Sequence, residues 1–247
     1  MNTNFVIIAA QRTGSNMLVS ALDNHPKIRC HGELFRRKNL NMKGALKVLR
    51  TIPSEFQSED YRDIHFREYL EAVKGTDGKK PFFGFKLMLN QSETARAGLI
   101  ENSNVKKVLL FRENLLAVFS SSLIAKATGQ GAVVQGKEVI QAKVQFEPKR
   151  FEKFRKNHDK RFEEVRQKLA GRPGIEWMET EYLKICKLEG IAAVMEFIGV
   201  APEIASITVK TVKRNPSNIL ERFTNPEAVL THLKLIGKED WVREEQE

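Results

Sequence analysis

Phe5-Val-Ile-Ile-Ala-Ala10 is followed directly by Gln11-Arg-Thr-Gly-Ser-Asn16, and apolar residues then recur at helical spacing in the segment 17–22. The first stretch is a short apolar run rich in β-branched residues, which is typical of a strand buried on both faces of a parallel sheet. The polar stretch after it predicts a tight turn, and the apolar spacing that follows predicts a helix. Strand, turn and helix in this order are the repeating unit of α/β folds.

Other strand-like segments alternate with helical segments along the chain. Strands are predicted at 27–30, 82–88, 105–111 and 175–178, and helices at 66–75, 115–126, 148–169, 182–198 and 226–236. This alternation predicts an α/β fold with a mostly parallel β-sheet of about five strands, flanked by helices on both faces. No internal repeat, low-complexity tract or linker divides the chain, so we expect residues 1–247 to form a single domain.

The composition points to a globular protein with an anionic partner. The chain has 247 residues, of which 41% are hydrophobic, and its 15 Gly and 8 Pro are too few for a disordered or collagen-like chain. Lys and Arg number 41 against 31 Asp and Glu, which gives a formal charge of +10. Such a surplus suits nucleic acid, acidic lipid, or a phosphorylated or sulfated small molecule.

Cysteine usage and hydropathy predict a cytoplasmic protein without a disulfide framework. Cys30 and Cys186 are too few and too far apart for a disulfide scaffold or a structural zinc site. The apolar run 5–10 ends before Arg12, and it is shorter than the core of a signal peptide. No segment has the roughly 20 apolar residues of a transmembrane helix. The sequence carries no signal for the oligomeric state.

Polar clusters lie at the carboxyl ends of four of the predicted strands: Arg12 to Ser15, His31 to Glu33, Lys86, and Arg112 with the serines that follow it. In open α/β sheets, ligands bind outside the carboxyl ends of the strands. We therefore expect these clusters to form one ligand site. None of them has the His, Asp and Glu spacing of a metal site, so no metal is expected.

The turn after the first strand has features of an anion site. A loop that contains Gly and leads into a helix N-terminus offers free N–H groups to a phosphate. Arg12 adds a positive charge, and Thr13 and Ser15 add hydroxyl groups. The loop lacks the first Gly and the Lys of the Gly-x-x-x-x-Gly-Lys-[Ser/Thr] motif, which disfavours an ATP-Mg²⁺ site of that type.

Two motifs in this order resemble the nucleotide-binding signatures of one enzyme family. Residues 5–18 resemble the 5′-phosphosulfate loop of sulfotransferases that use 3′-phosphoadenosine 5′-phosphosulfate (PAPS). Val108-Leu-Leu-Phe-Arg112, followed by Ser120, resembles the family's 3′-phosphate signature. The resemblance covers residues 5–125 well, and it implies a P-loop-like sheet.

Three further motifs are similar to bacterial carbohydrate and lipooligosaccharide sulfotransferases of the nodulation-factor type: His25-Pro26, His31-Gly-Glu-Leu-Phe35 and Gly84-Phe-Lys-Leu-Met88. This similarity implies transfer of the sulfuryl group of PAPS to a hydroxyl of a carbohydrate or glycolipid-type acceptor. Adenosine 3′,5′-bisphosphate would be the product, and no metal would be required.

The resemblance also implies roles for individual residues. The 5′-phosphosulfate would be held by Arg12, Thr13, Gly14, Ser15 and Asn16. The 3′-phosphate would be held by Arg112 and Ser120, with Ser121 or Ser122 as substitutes on the same helix, and by the basic turn of Lys213 and Arg214. Arg112 on its own is equally consistent with a surface ion pair to Glu113.

Glu33 is the expected base that takes the proton of the acceptor hydroxyl. His31 is the rival base, because residues i and i+2 of an extended segment point to the same side. Lys86 would orient the acceptor or stabilise charge on the sulfate during transfer, and the alternative is a Lys that reaches solvent at the sheet edge.

Two other functions remain open. A small-molecule nucleotide kinase that uses ATP-Mg would share the fold. A nucleic-acid-binding module would fit the charge, but it needs basic residues interleaved with exposed aromatic ones. The aromatic residues Phe151, Phe154 and Phe162 instead lie on the apolar stripe of the segment 148–169, so nucleic acid is not an expected partner.

Overall fold

The computed structural model describes residues 4–36, 51–76, 80–131, 138–203 and 215–244. Its strands are β1 (Asn4–Ala9), β2 (Ile28–Glu33), β3 (Phe82–Met88), β4 (Val105–Phe111) and β5 (Trp177–Glu181). They form one sheet in the order β2-β3-β1-β4-β5, and each neighbouring pair is parallel. The predicted α/β fold with a five-stranded parallel sheet is therefore confirmed.

Helices connect the strands and cover both faces of the sheet. In the described ranges the α-helices are α1 (Ser15–Asn24), α2 (Glu59–Ile64), α3 (Phe66–Gly75), α4 (Glu93–Glu101), α5 (Leu115–Thr128), α6 (Pro148–Ala170), α7 (Tyr182–Ile185), α8 (Leu188–Phe197) and α9 (Pro226–Leu235). Short 3-10 helices occur at Ser54–Gln57, Ile219–Arg222 and Glu239–Val242. None of the helices in this part of the chain combines the length and apolarity needed to cross a bilayer.

The central strand β1 is buried on both sides. Its residues 5–9 are all 0% exposed, and their side chains alternate between two apolar clusters. Val6 and Ile8 pack with α3, α4 and α6, whereas Phe5 and Ile7 pack with α1 and α8. The uninterrupted apolar run reflects this two-sided burial.

A third apolar cluster lies beside the sheet and holds the segments that precede and follow α9. Leu116 and Phe119 of α5 pack with Phe151 of α6 and with Ile219 and Trp241. These contacts hold the 3-10 helices Ile219–Arg222 and Glu239–Val242 against α5. Residues far apart in sequence are thereby brought to the carboxyl end of β4.

Three predicted elements were wrong in extent. The second strand continues to Glu33 and does not end at Cys30, so His31 and Glu33 lie within it and not after it. The last strand occupies residues 177–181 and not 175–178, because Ile175 lies 76% exposed in the preceding turn and polar residues complete the edge strand. The predicted helix 182–198 is divided into α7 and α8. A Cβ on Gly190 would lie 1.9 Å from the Lys184 carbonyl oxygen, so the two short helices pack backbone against backbone where one continuous helix was expected.

The turn between β1 and α1 depends on Gly14. This residue has φ of +82°, which glycine adopts without the steric cost that other residues incur. A Cβ at this position would also lie 2.5 Å from the Tyr182 ring of α7. Gly14 therefore allows both the turn and the close packing of α7 over it.

His158 lies inside the apolar stripe of α6, as its position in the sequence predicts. Its ring centroid is 4.7 Å from that of Phe162 and 5.7 Å from that of Phe154, and its buried Nε2 has no hydrogen-bond partner among the described residues. Burial, together with the nearby Arg166 and Arg161, lowers the pKa of His158 to about 4. The neutral ring is the form that the folded protein accommodates.

Substitution of Gly14 by Ala should lower the free energy of unfolding by about 1 to 3 kcal/mol, because positive φ and the Tyr182 ring both disfavour a Cβ. Gly75→Ala is the matched control, since a Cβ at the end of α3 meets nothing within 4 Å. Urea unfolding of both variants checks this expectation. Equal stability of the two variants would contradict it.

His158 should make the protein less stable in mild acid. Its ordinary pKa of 6.5 lies above its folded pKa of about 4, so the unfolded chain takes up the proton first and stability falls as the pH drops below 6.5. The contribution lost between pH 7.5 and pH 5 is about 2 kcal/mol. Urea unfolding at both pH values should show a smaller pH effect in His158→Leu, and identical pH effects would disprove this role.

Candidate active site

The loop after β1 presents the N-terminus of α1. The Thr13 hydroxyl, which is fully buried, donates a hydrogen bond to the Ala10 carbonyl at 2.8 Å and closes the turn. Gly14 is the N-cap of α1, and no side chain accepts a hydrogen bond there. Ser15 is buried and Asn16 is exposed in the first turn of the helix. The first N–H groups of α1 and its dipole thus favour an anion at this loop.

The Arg12 side chain reaches α5 and the residue Gly131 beyond it. Its Nε donates to Ser121 Oγ at 2.9 Å, and its Nη1 donates to the Gly131 carbonyl. Arg12 also has φ of +68°, an uncommon conformation for a residue with a side chain. Its guanidinium therefore lies between the β1 loop and the helix that carries Ser120.

A buried cation connects the predicted base to the β1 loop. Lys86 is 2% exposed, its Nζ lies 3.3 Å from Glu33 Oε1, and it donates to Asn16 Oδ1 at 2.5 Å. Burial lowers the pKa of Lys86, and the charge and hydrogen bond of Glu33 oppose this effect only in part. The contacts to Glu33 and Asn16 place Lys86 in the site and not at a solvent-exposed sheet edge.

Gln91 holds the other oxygen of the Glu33 carboxylate. Its Nε2 donates to Glu33 Oε2 at 2.8 Å, and its own Oε1 accepts from the Met88 backbone N–H at 3.1 Å. Because the Gln91 side chain is anchored at both ends, it fixes the orientation of the carboxylate. Sequence reasoning missed Gln91, although a polar residue just beyond the end of β3 is the signal that would have indicated it.

His31 and Glu33 lie on opposite faces of the sheet, contrary to the expectation that they share one. The register of β2 shifts between them, so that His31 pairs with Phe85 but Glu33 pairs with Lys86. The extra residue reverses the alternation of side chains. The His31 ring accordingly lies 5.6 Å from the Phe83 ring, on the face opposite Lys86.

Arg112 is the centre of a second charged cluster, at the end of β4. Its Nε donates to Glu244 Oε1 at 2.8 Å and its Nη2 donates to Glu244 Oε2, while its Nη1 donates to the Arg12 carbonyl at 2.9 Å. The guanidinium also lies 4.0 Å above the Tyr182 ring. Burial lowers the pKa of Arg112, but the hydrogen bonds and charge of Glu244 outweigh burial, so its pKa lies above the ordinary value. The ion pair of Arg112 is thus with the distant Glu244 and not with the neighbouring Glu113.

Ser120 lies beside a third arginine that sequence reasoning missed. Its Oγ accepts a hydrogen bond from Nη1 of Arg222 at 3.2 Å. Arg222 is 2% exposed, and burial together with the charge of Arg112 lowers its pKa to about 10. An arginine within the otherwise largely apolar segment 219–223 is the signal that would have indicated this buried charge. The remaining predicted contacts, Lys213 and Arg214, lie outside the described residues.

The described part of the chain contains no group of three or more His, Cys, Asp or Glu side chains arranged to hold a metal ion. Around the candidate site, charged side chains form two clusters on either side of the β1 loop. One contains Glu33 and Lys86, and the other contains Arg112 and Arg222. Such an arrangement suits a ligand with more than one anionic group.

Comparison with known proteins bears on the fold. No family model and no curated protein match this chain. A sulfotransferase from Alicyclobacillus acidocaldarius aligns with 98% of this chain and 100% of its own, at 16% identity and a TM-score of 0.49. A sulfotransferase domain from the Synechococcus PCC 7002 olefin synthase aligns with 92% and 86%, at 11% identity and a TM-score of 0.44.

The sulfotransferase domain from the curacin biosynthetic pathway aligns with 93% of this chain and 96% of its own, at 13% identity and a TM-score of 0.52. Nearly the whole chain therefore has a fold similar to that of this sulfotransferase domain.

Proposed function

We propose that this protein is a sulfotransferase that moves the sulfuryl group of PAPS to a hydroxyl of a carbohydrate or glycolipid-type acceptor. The observation that carries the proposal is that the α1 N-terminus after β1 and the Arg112 cluster after β4 are neighbours, joined by the hydrogen bond from Arg112 to the Arg12 carbonyl. A nucleotide phosphorylated at both its 5′ and 3′ positions needs two such sites. The fold similarity to a sulfotransferase domain supports the same function.

The 5′-phosphosulfate would lie at the N-terminus of α1. The backbone N–H groups from Gly14 to Asn16 face it, and the helix dipole favours its negative charge. Arg12 lies at the edge of this loop, where its guanidinium adds a positive charge. Lys86 reaches the same place through its contact with Asn16.

The 3′-phosphate would bind Arg112 and Ser120. Arginine binds phosphate with two parallel hydrogen bonds, and the Tyr182 ring holds the Arg112 guanidinium in a fixed plane. Ser120 is fully buried beside Arg222, which adds a second guanidinium. We include Lys213 and Arg214 in the proposed 3′ site as the predicted contacts from the segment before Asn215.

Glu33 is the proposed base. The acceptor hydroxyl gives its proton to the carboxylate of Glu33 while its oxygen bonds to sulfur. The bond between sulfur and the 5′-phosphate oxygen breaks, and the electron pair stays on that oxygen. Lys86, beside both Glu33 and the α1 N-terminus, is placed to stabilise the negative charge on the oxygens during transfer.

Two alternatives have less support. A kinase that uses ATP-Mg would need the first Gly and the Lys of the phosphate-binding motif, which the β1 loop lacks. A nucleic-acid-binding module would expose aromatic residues among basic ones, but Phe151 and Phe162 of α6 are buried at 0% and 2% exposure.

Adenosine 3′,5′-bisphosphate should stabilise the protein without magnesium. At a concentration about 100-fold above its Kd, the expected gain is about 2.7 kcal/mol, which corresponds to a rise in Tm of roughly 5 to 10 °C. A thermal-shift titration with this nucleotide, and with ATP in the presence and absence of magnesium, checks the expectation. Stabilisation by ATP only with magnesium would support the kinase, and salt-dependent duplex binding without a response to the bisphosphate would support the nucleic-acid module.

Glu33→Gln should abolish turnover and leave nucleotide binding unchanged, because the amide cannot accept the acceptor proton. The expected loss in kcat is about 100-fold to 10,000-fold. Transfer of labelled sulfate from PAPS to a panel of saccharides and glycolipids measures the rate, and calorimetry measures the Kd of the bisphosphate. Glu101→Gln, an exposed carboxylate at the end of α4, is the control. Near-normal turnover of Glu33→Gln would remove Glu33 from the mechanism.

A further inference from the structure

The place assigned to the 3′-phosphate is taken by a carboxylate of the chain itself. Glu244 follows the 3-10 helix Glu239–Val242, is 3% exposed, and binds Arg112 through both of its oxygens. Carboxylate and phosphate use the same pair of guanidinium donors. We propose that Glu244 competes with the 3′-phosphate for Arg112, and that it thereby limits how tightly the bisphosphate product is held. This inference rests on the proposed function.

The charge of the cluster supports such an exchange. Arg112 and Arg222 are two buried cations, and Glu244 supplies one negative charge to them. In the described part of the chain, Arg222 donates hydrogen bonds only to the Pro216 carbonyl and to Ser120, neither of which is charged. Among these three described side chains, one positive charge stays unbalanced while Glu244 is in place. A phosphate group carries nearly two negative charges at pH 7, so it would balance both guanidinium groups when the carboxylate leaves.

The Glu244 side chain can move off Arg112 while the main chain around it stays in place. Main-chain hydrogen bonds hold this segment: Glu244 N–H donates to the Ser217 carbonyl at 3.1 Å, and Asn114 Nδ2 donates to the carbonyls of Trp241 and Arg243. Trp241 is buried at 5% exposure in the third apolar cluster. In the described part of the chain, the contacts of Glu244 with Arg112 are made by its side chain alone, so rotation of that side chain exposes the guanidinium without displacing the main chain.

The exchange has a consequence for the reaction. In the empty enzyme Glu244 keeps the buried Arg112 paired. After transfer, its return provides a substitute partner for Arg112 as the product departs. A ligand that binds only an open site loses apparent affinity in proportion to the closed fraction. The affinity for nucleotides with a 3′-phosphate is therefore reduced, and the affinity for nucleotides without one is not.

Calorimetry with adenosine 3′,5′-bisphosphate and with adenosine 5′-monophosphate tests the proposal. In Glu244→Gln the Kd of the bisphosphate should fall about tenfold, as expected if the wild-type site is closed for about nine-tenths of the time. The Kd of the monophosphate should stay the same. Glu239→Gln, an exposed carboxylate on the adjacent 3-10 helix, is the control and should change neither value.

Unchanged or weaker bisphosphate binding by Glu244→Gln would overturn the proposal and leave the sulfotransferase function standing. Failure of both the wild type and this variant to bind the bisphosphate would contradict that function as well. Because loss of the charge leaves Arg112 without its partner, Glu244→Asp serves as a second variant that keeps the charge on a shorter side chain. Its bisphosphate Kd should fall below that of the wild type by less than tenfold, and a wild-type value or a higher one would overturn the proposal.

Discussion

The hydrogen bond from Arg112 Nη1 to the Arg12 carbonyl is the contact on which the site depends. It joins the residue after β4 to the turn after β1, and so it fixes the Arg112 cluster relative to the β1 loop. A hydrogen bond to a charged group contributes about 1.5 to 3 kcal/mol, whereas left-handed backbone at a non-glycine residue costs about 1 to 2 kcal/mol. This bond is therefore sufficient to hold Arg12 at its positive φ, next to Gly14 and the start of α1.

The order of the strands places the charged side chains of the candidate site in a line along one edge of the sheet. Parallel strands bring their carboxyl ends to one edge, so the order β2-β3-β1-β4 places Glu33, Lys86, the β1 loop and Arg112 one after another along that edge. Neighbouring strands are about 4.8 Å apart, which separates Glu33 from Arg112 by roughly 14 Å. Under the proposed function, an acceptor would therefore approach from the β2 side, and the adenosine end of the donor would lie toward β4.

The parts of the molecule that sequence could predict are those encoded by local patterns. The apolar run of β1, the positions of β3 and β4, and the polar residues at strand ends follow from composition and spacing over fewer than ten residues. The register shift after His31 adds one residue to a short strand and leaves no mark in the apolar pattern. The contacts of Arg112 with Glu244 and of Ser120 with Arg222 span 132 and 102 residues, so no local pattern indicates them.

These long separations also bear on the order in which the protein takes shape. The turn that contains Thr13 and Gly14 is closed by contacts within a few residues, and such local contacts form early because they cost little loop entropy. The Arg112 cluster requires a chain segment synthesised 132 residues later to return and pack beside α5. During synthesis on the ribosome, the β1 loop can thus form while the Arg112 cluster is still incomplete. The pair of sites that the proposed function assigns to a doubly phosphorylated nucleotide is complete only after the 3-10 helix Glu239–Val242 has packed beside α5.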